Sequence, residues 1–348
     1  MIDRPSCDKR HFVSTIKYAS HLRQKGVGKM KRKKIIITLS VISICAVLFC
    51  ITATALFGVV LPARKLNKAL SLLETGEKRA AYILIEKLAN NNMLSAKRYE
   101  AALTSQQRGD YAAAFLLLSK ISYKNSAEIC DQSFRKMLFN AKKDDRIYFG
   151  AYEQDNNSKN GPEAICWRVL REEKEGSLLL LSEYALDCQP FHDTFEGTTW
   201  ENASLRRWLN EEFLNQAFQE KDRALLLPSA VSADKNPGYS TDPGNDTEDR
   251  IFLLSTVETM QYFSSDEERR CYATDYASSR GAAFVGERSP DGALSCAWWT
   301  RTPGAVQNQT SLIFYDGRVE YYGHEVIDTA LTIRPALRVS RNALDPHE

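Results

Sequence analysis

Histidine is scarce in this chain, with five in 348 residues, and no Cys-x-x-C pair occurs. Only His192 and His324 fall in the C-terminal region that carries most of the motifs, so no Cys/His spacing of a zinc site is legible. No Gly-x-Ser-x-Gly elbow is present either, which removes the sequence signature of one large class of serine hydrolases. Acidic residues are nearly missing from positions 1–34, where Asp3 and Asp8 stand among 11 of the 46 lysines and arginines. Residues 35–63 contain no charge at all. Beyond the basic head, 35 basic and 42 acidic residues leave a mildly acidic body. A nucleic-acid-binding domain would carry the basic excess itself, so nucleic acid is not an expected partner. With 43% hydrophobic and 26% charged residues the composition is globular, and the length suits about two domains.

The uncharged run is long enough to be read as a membrane segment. A crossing helix needs roughly 20 apolar residues, and Lys31, Arg32, Lys33 and Lys34 abut the start of the run. The expectation is a basic cytoplasmic tail over 1–34, a single transmembrane helix over 35–62 and the remainder outside the cell. A cleaved signal peptide is the competing expectation, since Ala53-Thr54-Ala55 fits a small-residue cleavage pattern. The apolar run continues through Val60, beyond the roughly 7–15 residues of a signal peptide's core, which favours the anchor. Met30 followed by Lys31-Arg32-Lys33-Lys34 has the shape of an export-segment start, so translation beginning at Met30 is a further expectation.

Next comes an internal repeat. Ala69–Leu88 and Ala102–Ile121 align without gaps at an offset of 33, matching Gly76 with Gly109, Ala80 with Ala113 and Tyr82 with Phe115. Each unit reads as helix, glycine turn, helix, similar to a degenerate tetratricopeptide repeat. A third helix is expected over about Ser126–Lys142. The expected role of residues 64–143 is a short α-helical stalk.

At Arg146 the texture changes to short strands, a few helices and polar loops, which predicts an α+β domain over 146–340 with a tail at 341–348. Strands are expected around Ile147–Gly150, Trp167–Leu170, Ser177–Ser182, Ile251–Ser255, Ser311–Tyr315, Arg318–Tyr322 and Thr332–Val339. Helices are expected over Ser204–Phe218, with Asn202 or Ser204 as cap, and over Thr256–Phe263.

An ordered set of motifs runs through this region: Tyr148-Phe-Gly-Ala-Tyr-Glu-Gln-Asp, Trp167-Arg-Val-Leu, Leu186-Asp-Cys, Thr199-Trp-Glu-Asn-Ala-Ser-Leu-Arg-Arg-Trp-Leu-Asn and Phe252-Leu-Leu-Ser. Cys271 before Thr274-Asp-Tyr-Ala, Trp298-Trp-Thr-Arg and Ile333-Arg-Pro-Ala-Leu complete it. The set resembles the bacterial domain-of-unknown-function family numbered 6273. Its Trp-Trp and Arg-Pro-Ala-Leu elements are also similar to C-type-lectin-like folds of the formylglycine-generating kind. The second resemblance implies a fold and carries no function with it.

The lectin tripeptides Glu-Pro-Asn and Trp-Asn-Asp are absent. Asp242, Asp246, Glu248 and Asp249 crowd one loop without the spacing of an EF-hand and read as a solvated acidic loop. Cys271 and Cys296 lack the local pattern of a catalytic thiol pair and read as structural thiols or disulfide partners. Five cysteines beyond the apolar run leave the pairing open. No cofactor, no metal and no catalytic residue is therefore expected. Recognition remains, with Trp298, Trp299 and Arg301 as candidate ligand-binding residues framed by Gly/Ser-rich stretches, and Arg334 as a buried organiser of the last strand. The expected function is a membrane-anchored extracytoplasmic binding protein for a glycan or protein ligand in a bacterial envelope. An enzyme acting on cell-wall or surface-protein substrates, or a structural partner in an envelope complex, are the alternatives.

Overall fold

Gly76 and Gly109 hold left-handed backbone conformations, with φ of +85° and +73°. Each ends one helix and releases the next, since glycine alone adopts that region without Cβ strain. The helices so joined are α1 (Leu61–Thr75) with α2 (Lys78–Glu86), and α3 (Ser95–Gln107) with α4 (Tyr111–Leu118). Asp110 caps α4 by accepting from the Ala113 N–H, and α5 (Ser126–Asn140) closes the array. The small side chains of Ala112, Ala113 and Ala114 are buried, which lets α4 pack between α3 and α5.

The structure is a computed structural model that describes residues 38–47, 49–50, 60–88, 94–159, 161–173, 176–288 and 294–341. The chain divides into two units, Met1–Pro62 and Ala63–Glu348. Within the first, residues 38–47 and 49–50 are helical. Among the described residues no helix is long and apolar enough to cross a membrane, which overturns the single transmembrane helix expected over 35–62. The physical reason is length: spanning needs roughly 20 continuous residues, and the described helical stretch, residues 38–47, is shorter than that. Residues 51–59 of the uncharged run, the basic head over 1–34 and the tail beyond Arg341 lie outside the described residues. So does everything that the sidedness and the choice of start at Met30 rest on.

The second unit is mixed α+β. Its strands are β1 (Arg146–Tyr152), β2 (Glu163–Glu172), β3 (Ser177–Ser182), β4 (Asp187–Cys188), β5 (Ser229–Val231), β6 (Thr247–Asp249), β7 (Ile251–Phe252) and β8 (Cys271–Tyr272). They continue with β9 (Phe284–Arg288), β10 (Leu294–Cys296), β11 (Trp298–Pro303), β12 (Gln309–Ile313), β13 (Val319–Glu325), β14 (Thr332–Ile333) and β15 (Ala336–Ser340). Between them run α6 (Ser204–Trp208), α7 (Leu214–Ala217), α8 (Glu220–Arg223), α9 (Thr256–Tyr262), α10 (Asp266–Arg269) and α11 (Asp275–Ser279). One five-stranded sheet has the order β1-β2-β3-β15-β7 and the other β13-β12-β11-β14-β4.

The last expected strand, Thr332–Val339, is broken in two. Pro335 has no N–H to give a ladder, and the chain leaves one sheet at β14 and enters the other at β15. Arg334 sits at that crossing, fully buried, donating from Nε to the Ser182 carbonyl at 2.8 Å. All four leucines of β3 are buried, as are all six residues of β11.

One core joins helices and sheet. Phe115 meets Phe134 at 5.9 Å, Phe134 stacks on Phe149 at 5.9 Å, and Phe149 meets Phe218 at 5.1 Å. Phe149 is on β1, so the aromatic row runs from the helical array into the sheet. Polar contacts cross the same boundary, with Arg79 to Glu183 at 2.8 Å and Lys120 to Glu163 at 3.4 Å. The array expected as a stalk is thus packed on the sheet.

Candidate functional site

Trp298, Trp299 and Arg301 are placed together by β11, and all three are interior residues. The two indoles are 0% exposed and Arg301 is 4% exposed, so no open recognition surface is formed by them. Six consecutive buried positions on one strand explain this: both faces of β11 are covered, where a loop-framed surface was expected. Trp298 donates to the Arg269 carbonyl at 3.2 Å. Arg301 donates to the Ser232 and Leu253 carbonyls and pairs with Asp234 and Glu258. Trp299 donates to the Gln189 carbonyl at 3.0 Å, and Gln189 lines a cleft of about 420 Å³. The tryptophan expected in a site therefore stands behind one.

The cleft is built from motifs that lie far apart in sequence. Its floor is Asp187 on β4, 2% exposed, whose Oδ2 accepts from the Tyr152 hydroxyl at 2.5 Å. Oδ1 accepts the Cys188 N–H at 2.7 Å and lies 3.6 Å from Arg280 Nε. Burial, and then the Asp187 charge, push the Tyr152 phenol far above its ordinary range, so it stays a proton donor. Tyr276 on α11 meets Tyr152 edge-on at 5.8 Å. Thr274 caps that helix by accepting from the Ala277 N–H.

The opposite wall is the helix that begins with α6. Leu205, Leu209 and Phe213 are buried on its inner side, and Trp208 packs on Phe213 with centroids 5.5 Å apart. Between α6 and α7 the residues Leu209–Phe213 form a π-turn, a wider coil that is frequent at functional sites. Trp208 is half-buried, while Arg207, Glu211 and Glu212 are exposed at the rim together with Asp193. Neither expected cap operates. Ala203 holds the N-cap position and Asn202 belongs to the preceding 3-10 turn. Ser204 gives its N–H to His192 Nδ1 at 3.3 Å. Its Oγ is buried in the wall of the cleft with no hydrogen-bond partner among the described residues. A buried hydroxyl in that state is uncommon and costs stability unless something fills the space beside it.

Two other candidates resolve into structure. Glu153, Asp155 and Glu163 bring carboxylate oxygens within 4.8 Å of one another. Glu163, however, accepts the N–H groups of Gln154 and Asp155, and Glu153 accepts that of Asn157, so the trio organises its own turn. In the acidic loop Asp242, Asp246 and Glu248 are exposed, but Asp249 is buried. It accepts from Trp200 Nε1 at 3.0 Å and from Arg206 Nε at 2.7 Å, so it is a strut and not a solvated residue. Cys271 and Cys296 are directly opposed across β8 and β10, and both are free buried thiols, as are Cys166 and Cys188.

Residues 175–341 match the model of the family described as Domain of unknown function (DUF6273). The match begins later than the expected position 146, so β1, β2 and the cleft residue Tyr152 all precede it. No curated protein and no solved structure matches the chain. The lectin-like fold and the tetratricopeptide-like repeat therefore have no counterpart in these comparisons.

Several cleft residues lie in motifs legible in the sequence without being marked there as a site, while Asp193 and Arg280 lie in none. Tyr152, Asp187, Ser204, Trp208 and Tyr276 all fall in motifs of the ordered set, where Trp208 reads only as part of an apolar helix face. The legible signal was a polar residue embedded in an otherwise apolar motif, as Asp187 is between Leu186 and Cys188.

Proposed function

We propose that this protein is a recognition module that holds a small hydroxyl-rich ligand, of the sugar class, in the cleft between Asp187 and Trp208. The observation that carries the reading is Ser204, which lines the cleft and whose buried Oγ has no hydrogen-bond partner among the described residues. Rotated about χ1 into the cleft, that hydroxyl would both donate to and accept from a ligand hydroxyl. Trp208 and Tyr276 supply aromatic faces for the apolar side of a sugar ring, and Asp187, Asp193, Glu211 and Glu212 supply acceptors. Arg207 and Arg280 add donors at the rim, and the volume suits a ligand of one or two rings. The same proposal sets the module on the outer side of a bacterial envelope, on the strength of the basic head and the uncharged run alone.

The test is a glycan array probed with the full chain, followed by titration of the captured glycan. Ser204→Ala is expected to weaken capture by about five- to tenfold, the loss of one hydrogen bond. An array without capture, or capture that Ser204→Ala and Trp208→Ala leave unchanged, would overturn the reading. New reducing ends in the captured glycan would instead favour hydrolysis, with the four carboxylates as the groups to dissect.

A further inference from the structure

A second recess, of about 530 Å³, opens where α2 faces the start of β1 and the crossing from β14 to β15. We propose that it binds a phosphate-type oxyanion, held by the guanidinium groups of Arg79, Arg146, Arg168, Arg270 and Arg334. They come from five separate segments of a chain whose body is otherwise acidic, and the tertiary fold alone gathers them.

Their placement runs against local electrostatics. Arg146 and Arg168 are direct partners in the β1–β2 register, an arrangement in which like charges oppose folding. Asp144 offsets Arg168 through two hydrogen bonds. Glu183 sits at the edge of the recess as a built-in counter-ion. Its Oε1 lies 2.8 Å from Arg79 Nη2 and its Oε2 lies 3.0 Å from Arg146 Nε. Glu267 pairs with Arg270 at 3.0 Å, and Glu268 is occupied in accepting the Ser264 N–H. With Asp144 counted, five guanidinium groups thus face four carboxylates, one of them, Glu268, already taken by a backbone N–H.

Arg334 makes the excess unusual. It is 2% exposed, and the carboxylate that acts on it, Glu183, makes no hydrogen bond or ion pair with it among the described residues. Its Nε and Nη1 donate to the Ser182 and Arg269 carbonyls. Its guanidinium lies 5.2 Å from the Trp298 ring and 5.7 Å from that of Phe263. Rings and carbonyls fix the orientation of such a group, and the full negative charge that acts on it, Glu183, is shared with Arg79 and Arg146. A tetrahedral oxyanion adds charge of its own, and it can take hydrogen bonds from several forks at once, which a single carboxylate cannot.

Calorimetric titration of the full chain with sodium phosphate, at ionic strength held constant with sodium chloride, tests the site. Saturable binding is expected, weakened at least about fivefold in Arg79→Gln, the most exposed of the five and so the least costly to fold without. Glu183→Gln removes the internal competitor and is expected to tighten binding, a sign that a purely structural ion cluster would not produce. Arg280→Gln, in the other cleft, is expected to leave the titration unchanged. Glycerol phosphate and phosphatidylglycerol vesicles, each competed with phosphate, separate a soluble source from a lipid headgroup, and competition by either supports the site. The proposal fails if phosphate shows no saturable heat, or if Arg79→Gln and Glu183→Gln both bind it as the parent does.

Discussion

Arg301 shows how much a single side chain can carry once its surroundings are known. Removing it leaves Asp234 and Glu258 with only their hydrogen bonds from Ser255 and takes a donor from the Ser232 and Leu253 carbonyls, in a nearly closed space. The carboxylates are about a fifth exposed, so water recovers part of the loss. Arg301→Ala is therefore expected to cost about 2–4 kcal/mol, below the upper range for a sealed pair, as read by urea denaturation. A change under about 0.5 kcal/mol would contradict the buried network, since that is the range of a bare surface substitution. Ser204→Ala should behave in the opposite way, leaving stability level or slightly higher because it deletes an unpartnered buried hydroxyl. A clear loss of stability in that variant would mean that Oγ has a partner in solution.

Glu183 gives the residue scale its pH dependence. Burial alone would raise its pKa, but Arg146, Arg79 and Arg334 outweigh burial and hold the carboxyl below its ordinary range. A depressed folded pKa adds stability that is fully present above the unfolded value of about 4.3. That contribution is lost as pH falls from there through the lower folded value. Glu183→Gln is expected to flatten the acid side of the stability–pH curve below about pH 4.3 while changing little of its shape near neutrality. An unchanged acid limb would remove Glu183 from the list of contributors.

At the scale of elements, the two glycine turns were open to sequence reasoning because the requirement is local. An added Cβ at Gly76 or Gly109 meets no atom within 4 Å, so any penalty comes from the positive φ and not from crowding. Gly76→Ala and Gly109→Ala are each expected to destabilise by about 1 kcal/mol, measured as a shift in the denaturation midpoint. A neutral outcome at either site would mean that the turn relaxes to another conformation. The helix starting at Ser204 was equally legible, since Leu205, Leu209 and Phe213 mark one apolar face. The π-turn within it was not, because a coil of that width depends on what the flanking turns pack against. Nor was the break at Pro335 assigned to a change of sheet. A proline says that a ladder is interrupted, while the destination of the next strand depends on partners more than a hundred residues away, such as Leu180 and Leu181 opposite Leu337 and Ala336.

The whole molecule unites what the sequence divides by texture. A helical stretch followed by a strand-rich one invites a spacer carrying a separate domain, yet Phe134 on α5 stacks on Phe149 of β1, and Tyr82 on α2 meets Tyr148 edge-on at 6.0 Å. Residues 63–348 should then unfold together. Far-ultraviolet circular dichroism, dominated by helices, and tryptophan fluorescence, which reports mainly the sheet region, are expected to give coincident thermal transitions. Phe149→Ala should shift both by the same amount and cost about 3–5 kcal/mol. Two separate transitions would restore the spacer.

From the chain alone came the α+β class, the paired helices about Gly76 and Gly109, most strand positions and the motifs of the matched family. These are properties of near neighbours: side-chain period, backbone conformation and turn chemistry act over a few residues. Trp298, Trp299 and Arg301 were nominated because aromatic and guanidinium groups can bind ligands, but the same groups also fill and lock interiors, and residue type does not distinguish the two uses. Only the tertiary structure, by covering both faces of β11, made them core, and only it brought Tyr152, Asp187, Ser204, Trp208 and Tyr276 around one cleft. Burial and convergence are set by contacts between residues far apart in the chain, and no local pattern encodes which distant segment will arrive.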